Sequence, residues 1–320
     1  MAQIQQTLCD LCVNSMNPLP LGVTFFERGW LSSNNVLIHD EDQSILVDSG
    51  YWTHAQQTHA LIRSVLGTTP LTTLINTHLH SDHCGGNAHL QAQYPTLKTL
   101  IPPGHAKFVD QWDPIALTYG PTGQHCPEFK RTASLHDGDS FVGAGKTWRI
   151  HAAPGHDPHS IILMNEDDGL LISADALWEN GFGVVFPEIE GQEAFDEVAK
   201  TLDIIEELRP ELVLPGHGGA FADVDDAVVR ARSRLDQFRK SPEKHASYAA
   251  KVLLKFKLLE FQKVKLTNFL AWADSVEYLK LLYARHTNGE SFNAWLIDLC
   301  KSLEKSGACI FDDAHIINKN

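Results

Sequence analysis

Short aliphatic and β-branched runs separated by turn-forming residues predict strands at 23–26, 36–39 and 44–47. The amphipathic stretch 53–66 reads as a helix, and the apolar run 71–75 as the next strand. Gly85-Gly86 then opens a helix through Gln93, the glycines allowing close passage of neighbouring backbone. Residues 102–146 carry Pro102-Pro-Gly104 and Tyr119-Gly-Pro-Thr-Gly123 and are expected to be a loop-rich lid. Strands return at 147–153, 160–164 and 170–174. A helix over 192–208 places Phe195, Val198, Leu202 and Ile205 on one face. A strand at 212–214 and a helix at 224–238 follow. The pattern changes at Ser241-Pro242, dividing the chain into regions 1–240 and 241–320. In the second region, helices are expected at 245–266, 267–286 and 291–306, broken by Gly289 and Gly307, with a hairpin at 308–317.

A chain of 320 residues can bury one large core and a small second one. Its net charge of -14 is uneven, because residues 236–320 hold 13 Lys and Arg against 10 Asp and Glu. An acidic main region argues against nucleic acid as a partner, since that binding relies on phosphate neutralisation by Lys and Arg. No apolar run reaches membrane-spanning length, and the first residues lack a charged start followed by an apolar stretch. Six cysteines without a regular framework suit a reducing compartment, so the expectation is a cytoplasmic protein without a membrane partner. Cys9-Asp-Leu-Cys12 lacks the further ligands that a zinc site needs, and is read as two thiols in an irregular arm.

Seven residues in four separated patches carry the chemistry. They are His78, His80, Asp82 and His83 in the run Thr77-His-Leu-His-Ser-Asp-His83, then His156, Asp175 and His217. Imidazole and carboxylate are ligands for a borderline divalent cation: zinc by ligand type, with iron or manganese also admitted. Seven ligands exceed what one four-coordinate ion takes and suit two ions sharing one carboxylate. The last three patches each follow an apolar run, so strand ends would bring them to one sheet edge.

This ordered pattern resembles the metallo-β-lactamase superfamily of metal-dependent hydrolases, over roughly residues 20–235. The resemblance implies an α/β fold, a four-layer αβ/βα sandwich with the metals at one edge between two sheets. It implies His78, His80 and His156 for the first ion, Asp82, His83 and His217 for the second, and Asp175 as the bridge. Three helices and a hairpin resemble the winged-helix tail of longer members, which shapes the substrate entrance or a homodimer contact.

In such a site, a water activated between two cations attacks the substrate. Asp82 is the candidate to orient it and pass a proton to the leaving group. His159, Trp178, Asn180 and Phe182 are candidates for substrate contact, with Phe186, Tyr51 and Trp52 as further aromatic wall. Cys84 reads as packing. The expected substrate is a small-molecule ester, thioester or lactone. The ligand set is similar to that of glyoxalase II, yet Phe182-Gly-Val-Val-Phe-Pro-Glu188 offers no Lys or Tyr for glutathione. The alternatives are a phosphodiesterase or ribonuclease of the same fold, and β-lactam hydrolysis.

Overall fold

Strands that are apolar on both faces set the layering. In β2 (Asn35–His39), Val36 and Ile38 face one way and Leu37 the other, and all three are buried. Val36 and Ile38 pack with Trp148, Ile150, Leu163 and Ile172 between two sheets. Leu37 packs outward with Ile62 and Leu90. The computed structural model describes residues 19–285, 289–311 and 314–319, and the Cys9–Cys12 pair lies outside them.

The first sheet runs β1 (Val23–Phe26), β2, β3 (Ser44–Val47), β4 (Thr73–Ile75), β5 (Lys98–Ile101) and β6 (Ala133–Ser134), in that order. Its first two pairings are antiparallel and the next three parallel. The second sheet holds β7 (Ser140–Gly143), β8 (Lys146–Ala152), β9 (Ile161–Asn165), β10 (Leu170–Ala174) and β11 (Leu212–Pro215). Only its β10–β11 pairing is parallel. Helix α1 (Ala55–Leu66), the short turn α2 (Ser81–Cys84) and α3 (Asn87–Gln93) lie on the first-sheet side. The expected four-layer αβ/βα sandwich is therefore present.

The 102–146 region is more ordered than its Pro and Gly content suggests. It contains α4 (Ala106–Gln111) and β7, and Val109, Leu117, Tyr119 and Phe129 close a small core with Leu79 and Cys84. Those apolar residues follow neither a helical nor a strand period, so the sequence pattern gave no element there. Beyond β10 come the short α5 (Phe186–Glu190), then α6 (Phe195–Leu208) and α7 (Val224–Lys240), the latter two covering the second sheet.

Helix α8 (Pro242–Phe261) is separated from α7 by the single residue Ser241, with Pro242 at its first turn. The helix expected over 267–286 is instead two, α9 (Leu266–Ser275) and α10 (Glu277–Ala284), broken where Val276 is extended. The break lets Tyr278 N–H reach Pro121 O at 3.1 Å. After α11 (Phe292–Lys305), the expected hairpin β13 (Cys309–Phe311) and β14 (His315–Asn318) gains a third strand, β12 (Lys263–Lys265). The tail is packed on the sandwich, its core of Leu254, Phe269, Leu282 and Leu296 enclosing Val184 and Ile189.

One polar link between the two is titratable. His245 of α8, 3 % exposed, accepts the Val185 N–H at 3.1 Å and sits edge-on to Phe195. Burial, and then Arg285, push it down to about 4. The folded protein therefore holds His245 neutral where the unfolded chain is protonated, so stability is complete above the ordinary imidazole range and is lost as pH falls towards 4. The shift corresponds to a free energy on the order of 3 kcal/mol. In urea unfolding across that window, His245→Gln should show a flatter pH dependence than the unsubstituted protein. Parallel profiles would remove this role.

Candidate metal centre

The run carrying four of the candidate ligands leaves β4 and turns back through α2, and backbone carbonyls fix that turn. His83 O accepts from Ser49 N at 2.7 Å, Ser49 Oγ at 3.2 Å and Asn76 Nδ2 at 3.2 Å. Glycine is needed at Gly85, where a Cβ would lie 2.6 Å from Trp52 N. Asp48, at the end of β3 and at φ 58°, accepts from Thr77 N at 2.9 Å and Thr77 Oγ1 at 2.8 Å. Its Oδ2 also takes His83 Nδ1 at 2.7 Å. Parallel β10 and β11 deliver Asp175 and His217 from adjacent strand ends. Gly216 sits between them, and a side chain there would run into Asp175 Oδ1. Asn34 Nδ2 secures that loop by donating to Pro215 O at 2.9 Å and Gly218 O at 2.8 Å.

All seven candidate ligands converge. His156 Nε2 lies 3.2 Å from His78 Nε2 and 2.8 Å from His80 Nδ1, and the last two are 3.0 Å apart. Two nitrogens each ~2.0–2.1 Å from a tetrahedral zinc are about 3.3 Å apart, so this triangle is close to the size of one ion's ligand shell. A second group joins His217 Nε2 to Asp82 Oδ2 at 3.1 Å, with His83 Nε2 at 3.9 Å from the same oxygen. Asp175 faces both groups. Its Oδ2 is 3.3 Å from His156 Nε2, and its Oδ1 is 3.5 Å from His83 Nε2 and 3.8 Å from His217 Nε2.

The hydrogen bonds behind the rings choose which nitrogen points inward. His156 Nδ1–H donates to Val184 O at 2.6 Å, leaving Nε2 as a lone pair. His83 Nδ1 is committed to Asp48, and its buried Nε2 has no hydrogen-bond partner. An orphaned imidazole nitrogen facing two carboxylates fits a bound cation. Burial, and then neighbouring rings, hold His78 well below the ordinary imidazole range; burial and then His156 push His80 down to about 3. Burial also lowers His156, against the pull of Asp175. These three are neutral, as ligands must be. At His83 burial opposes charge, but Asp48, Asp175 and Asp82 outweigh it and raise the ring well above its usual range. Burial works against charge on Asp175 too, but His217 and His83 hold it well below the usual carboxylate range. The second group is thus short of positive charge. The residues fit the binding of divalent metal.

A cavity of about 420 Å³ opens from this edge towards the tail. Trp178, a candidate for substrate contact, lines it, and its Nε1–H donates to Asp175 Oδ1 at 3.2 Å. Phe186 also lines it, tilted against the His80 ring at 4.6 Å. The other expected contacts lie elsewhere. Phe182 is 1 % exposed in the core, edge-on to Phe238, because the 175–183 turn folds it inward. Asn180 is exposed, with its carbonyl accepting from Arg234. His159 packs edge-on to His105, and its N–H is tied to Asp157 at 2.7 Å. Tyr51 is buried with its hydroxyl on Glu260 at 3.1 Å, and Trp52 meets His125. Sequence reasoning missed Asp48, whose signal was a carboxylate directly after the apolar run Ile45-Leu-Val47. It also missed Trp30, stacked on His217 at 5.3 Å, and the tail residues Tyr248, Val252 and Phe256.

Comparison with known proteins agrees with this geometry. The chain is 28% identical over 206 residues to a hydroxyacylglutathione hydrolase of Xanthomonas campestris pv. campestris, covering 63% of this chain and 68% of that enzyme. It is 23% identical over 222 residues to an atrochrysone carboxyl ACP thioesterase of Aspergillus chevalieri, covering 67% and 63%. A β-lactamase-like protein 2 homolog of Drosophila melanogaster matches at 27% over 199 residues, 60% of each chain. The chain thus spans less than two thirds of the length of the last two. The crystal structure of a metallo-β-lactamase family protein from Thermus thermophilus shares the fold, with TM-score 0.53 and 20% identity over 94% of this chain and 99% of that one. The sequence profile of the metallo-β-lactamase superfamily matches residues 28–217, more than half of the chain and all seven candidate ligands. The chain belongs to the metallo-β-lactamase superfamily.

Proposed function

We propose that the chain is a dinuclear metal-dependent hydrolase of small-molecule thioesters, with esters and lactones as related substrates. The observation that carries this reading is Asp175, whose two oxygens face two different ligand groups. His78, His80 and His156 would hold one ion, Asp82, His83 and His217 the other, and Asp175 both. Zinc suits these ligand types, and iron or manganese also fits. When bound, a pair of divalent cations supplies Lewis-acid polarisation of a carbonyl and activation of water at neutral pH.

The chain's own residues do the rest. Asp82 offers one oxygen to His217, and its side chain, 14% exposed, lines the cavity. This position supports a role in which Asp82 takes a proton from the attacking water and returns it to the leaving thiolate. Trp178 Nε1–H donates to Asp175 Oδ1 and so fixes the orientation of the carboxylate that would hold both ions. Trp30, Trp178 and Phe186 shield the reacting carbonyl from bulk water. Two relatives named as a hydroxyacylglutathione hydrolase and an ACP thioesterase support thioester chemistry. A net charge of -14, and a cavity wall whose basic residues are Lys251 and Lys255, the latter bonded within the tail, oppose a nucleic-acid substrate. The thiols of Cys84, Cys126, Cys300 and Cys309, free and buried, suit the reducing cytoplasm, and no described helix is long and apolar enough to cross a membrane.

Metal analysis of gently purified or reconstituted protein should give about two divalent ions per chain. A plateau at one would remove the bridging role of Asp175. Asp82→Asn preserves shape but not proton transfer, so kcat on the best thioester should fall by about 10²–10⁴. Unchanged kcat would exclude Asp82 as the proton carrier. Asp48→Ala should weaken the second ion about 10–100-fold, read by chelator competition, while the first ion is held normally. Equal loss at both sites would show that Asp48 supports the edge as a whole.

A further inference from the structure

The cavity extends from the metal edge to α8, where Tyr248, Lys251, Val252, Lys255, Phe256 and Leu259 line it at helical spacing. This face is apolar apart from two lysines, and their situations differ. Lys255 Nζ is fully engaged, donating to Ala308 O at 2.8 Å, Asn318 Oδ1 at 2.6 Å and Lys319 O at 2.8 Å. Only its methylene stem is left to line the wall. Lys251 makes no hydrogen bond or ion pair with any described residue. Its helix supplies no acid one turn away, since positions 247, 248, 254 and 255 are Ser, Tyr, Leu and Lys. Asp82 and Asp175 are the acids lining the cavity among the described residues, and both belong to the metal edge. Polar groups on the opposite wall are satisfied internally: Ser81 Oγ donates to Gln124 Oε1 at 2.5 Å, and Thr122 Oγ1 to Thr118 O at 2.7 Å. Closing an apolar substrate over an uncompensated ammonium costs free energy unless the substrate brings a negative charge.

We propose that Lys251 is a specificity-determining residue, which selects thioesters with an apolar body that carry a carboxylate distant from the reacting carbonyl. The α8 face takes the apolar body, and Lys251 pairs with the carboxylate. This assignment rests on the cavity being the substrate site of the hydrolase proposed above. It is tested by binding alone, so that its failure is separable from a failure of hydrolysis.

Three unreactive thioethers serve as probes, titrated calorimetrically into the full-length, zinc-loaded protein. The first is S-pentyl-N-acetylcysteamine, which is neutral. The second is its S-(4-carboxybutyl) counterpart, with the carboxylate on the acyl side. The third is the S-pentyl thioether of 3-mercaptopropionate, with the carboxylate on the thiol side. At least one carboxylated probe should bind about tenfold more tightly than the neutral one, equivalent to ~1.4 kcal/mol. Whichever gains shows the side from which the anion comes. Lys251→Met keeps the stem and a good helix former while removing the charge, so the gain should vanish with metal content unchanged. Equal binding of all three probes by the unsubstituted protein would overturn the proposal. So would a gain that persists in Lys251→Met, because the carboxylate would then be held at the metal edge.

Discussion

A single buried carboxylate, Asp48, sets the geometry from which the rest of the edge follows. A carboxylate closed off from water is tolerated only when its lone pairs are filled. Here three donors fill them, two from Thr77 and one from His83. Those bonds fix the start and the end of the motif run at once. They also commit the His83 ring to one tautomer, so that its other nitrogen is aimed at Asp82 and Asp175. The residue sits at positive φ, a conformation that costs a non-glycine residue of order 1–3 kcal/mol and persists only where the surroundings over-determine it.

The frame behind the edge explains why loops can be held so tightly. Strands β2, β3, β9 and β10 are buried along almost their whole length, with side chains packed between the sheets and against helices. Close-packed strands of this kind move little, so residues one or two positions beyond their ends inherit fixed positions. Asp48 follows β3, and Asp175 follows β10, directly. His217 is two residues beyond β11, braced by Asn34 from the other sheet.

Much of this was legible in the sequence, for a chemical reason. Histidines and aspartates placed just after apolar runs are conspicuous, and their order along the chain defines the family. The two-sheet core was legible as well, because 36–39, 44–47, 160–164 and 170–174 are short apolar runs bounded by turn residues. What could not be read was direction. Nothing local tells that Phe182 turns into the core while Trp178, four residues earlier, faces the cavity. Tyr248, Val252 and Phe256 have the spacing of a core helix, and sequence alone does not say which buried face meets empty space. At the break beside Val276, Tyr278 N–H is taken by a carbonyl 157 residues away in sequence, that of Pro121, which no local propensity encodes.

Val184 belongs to three environments at once. Its carbonyl orients His156, its side chain is enclosed by the tail's core, and it forms part of the cavity wall. Packing of the described tail residues and alignment of His156 therefore share one structural element. The tail, whose described residues contribute none of the seven candidate ligands, thus bears on the metal edge through the backbone of one residue.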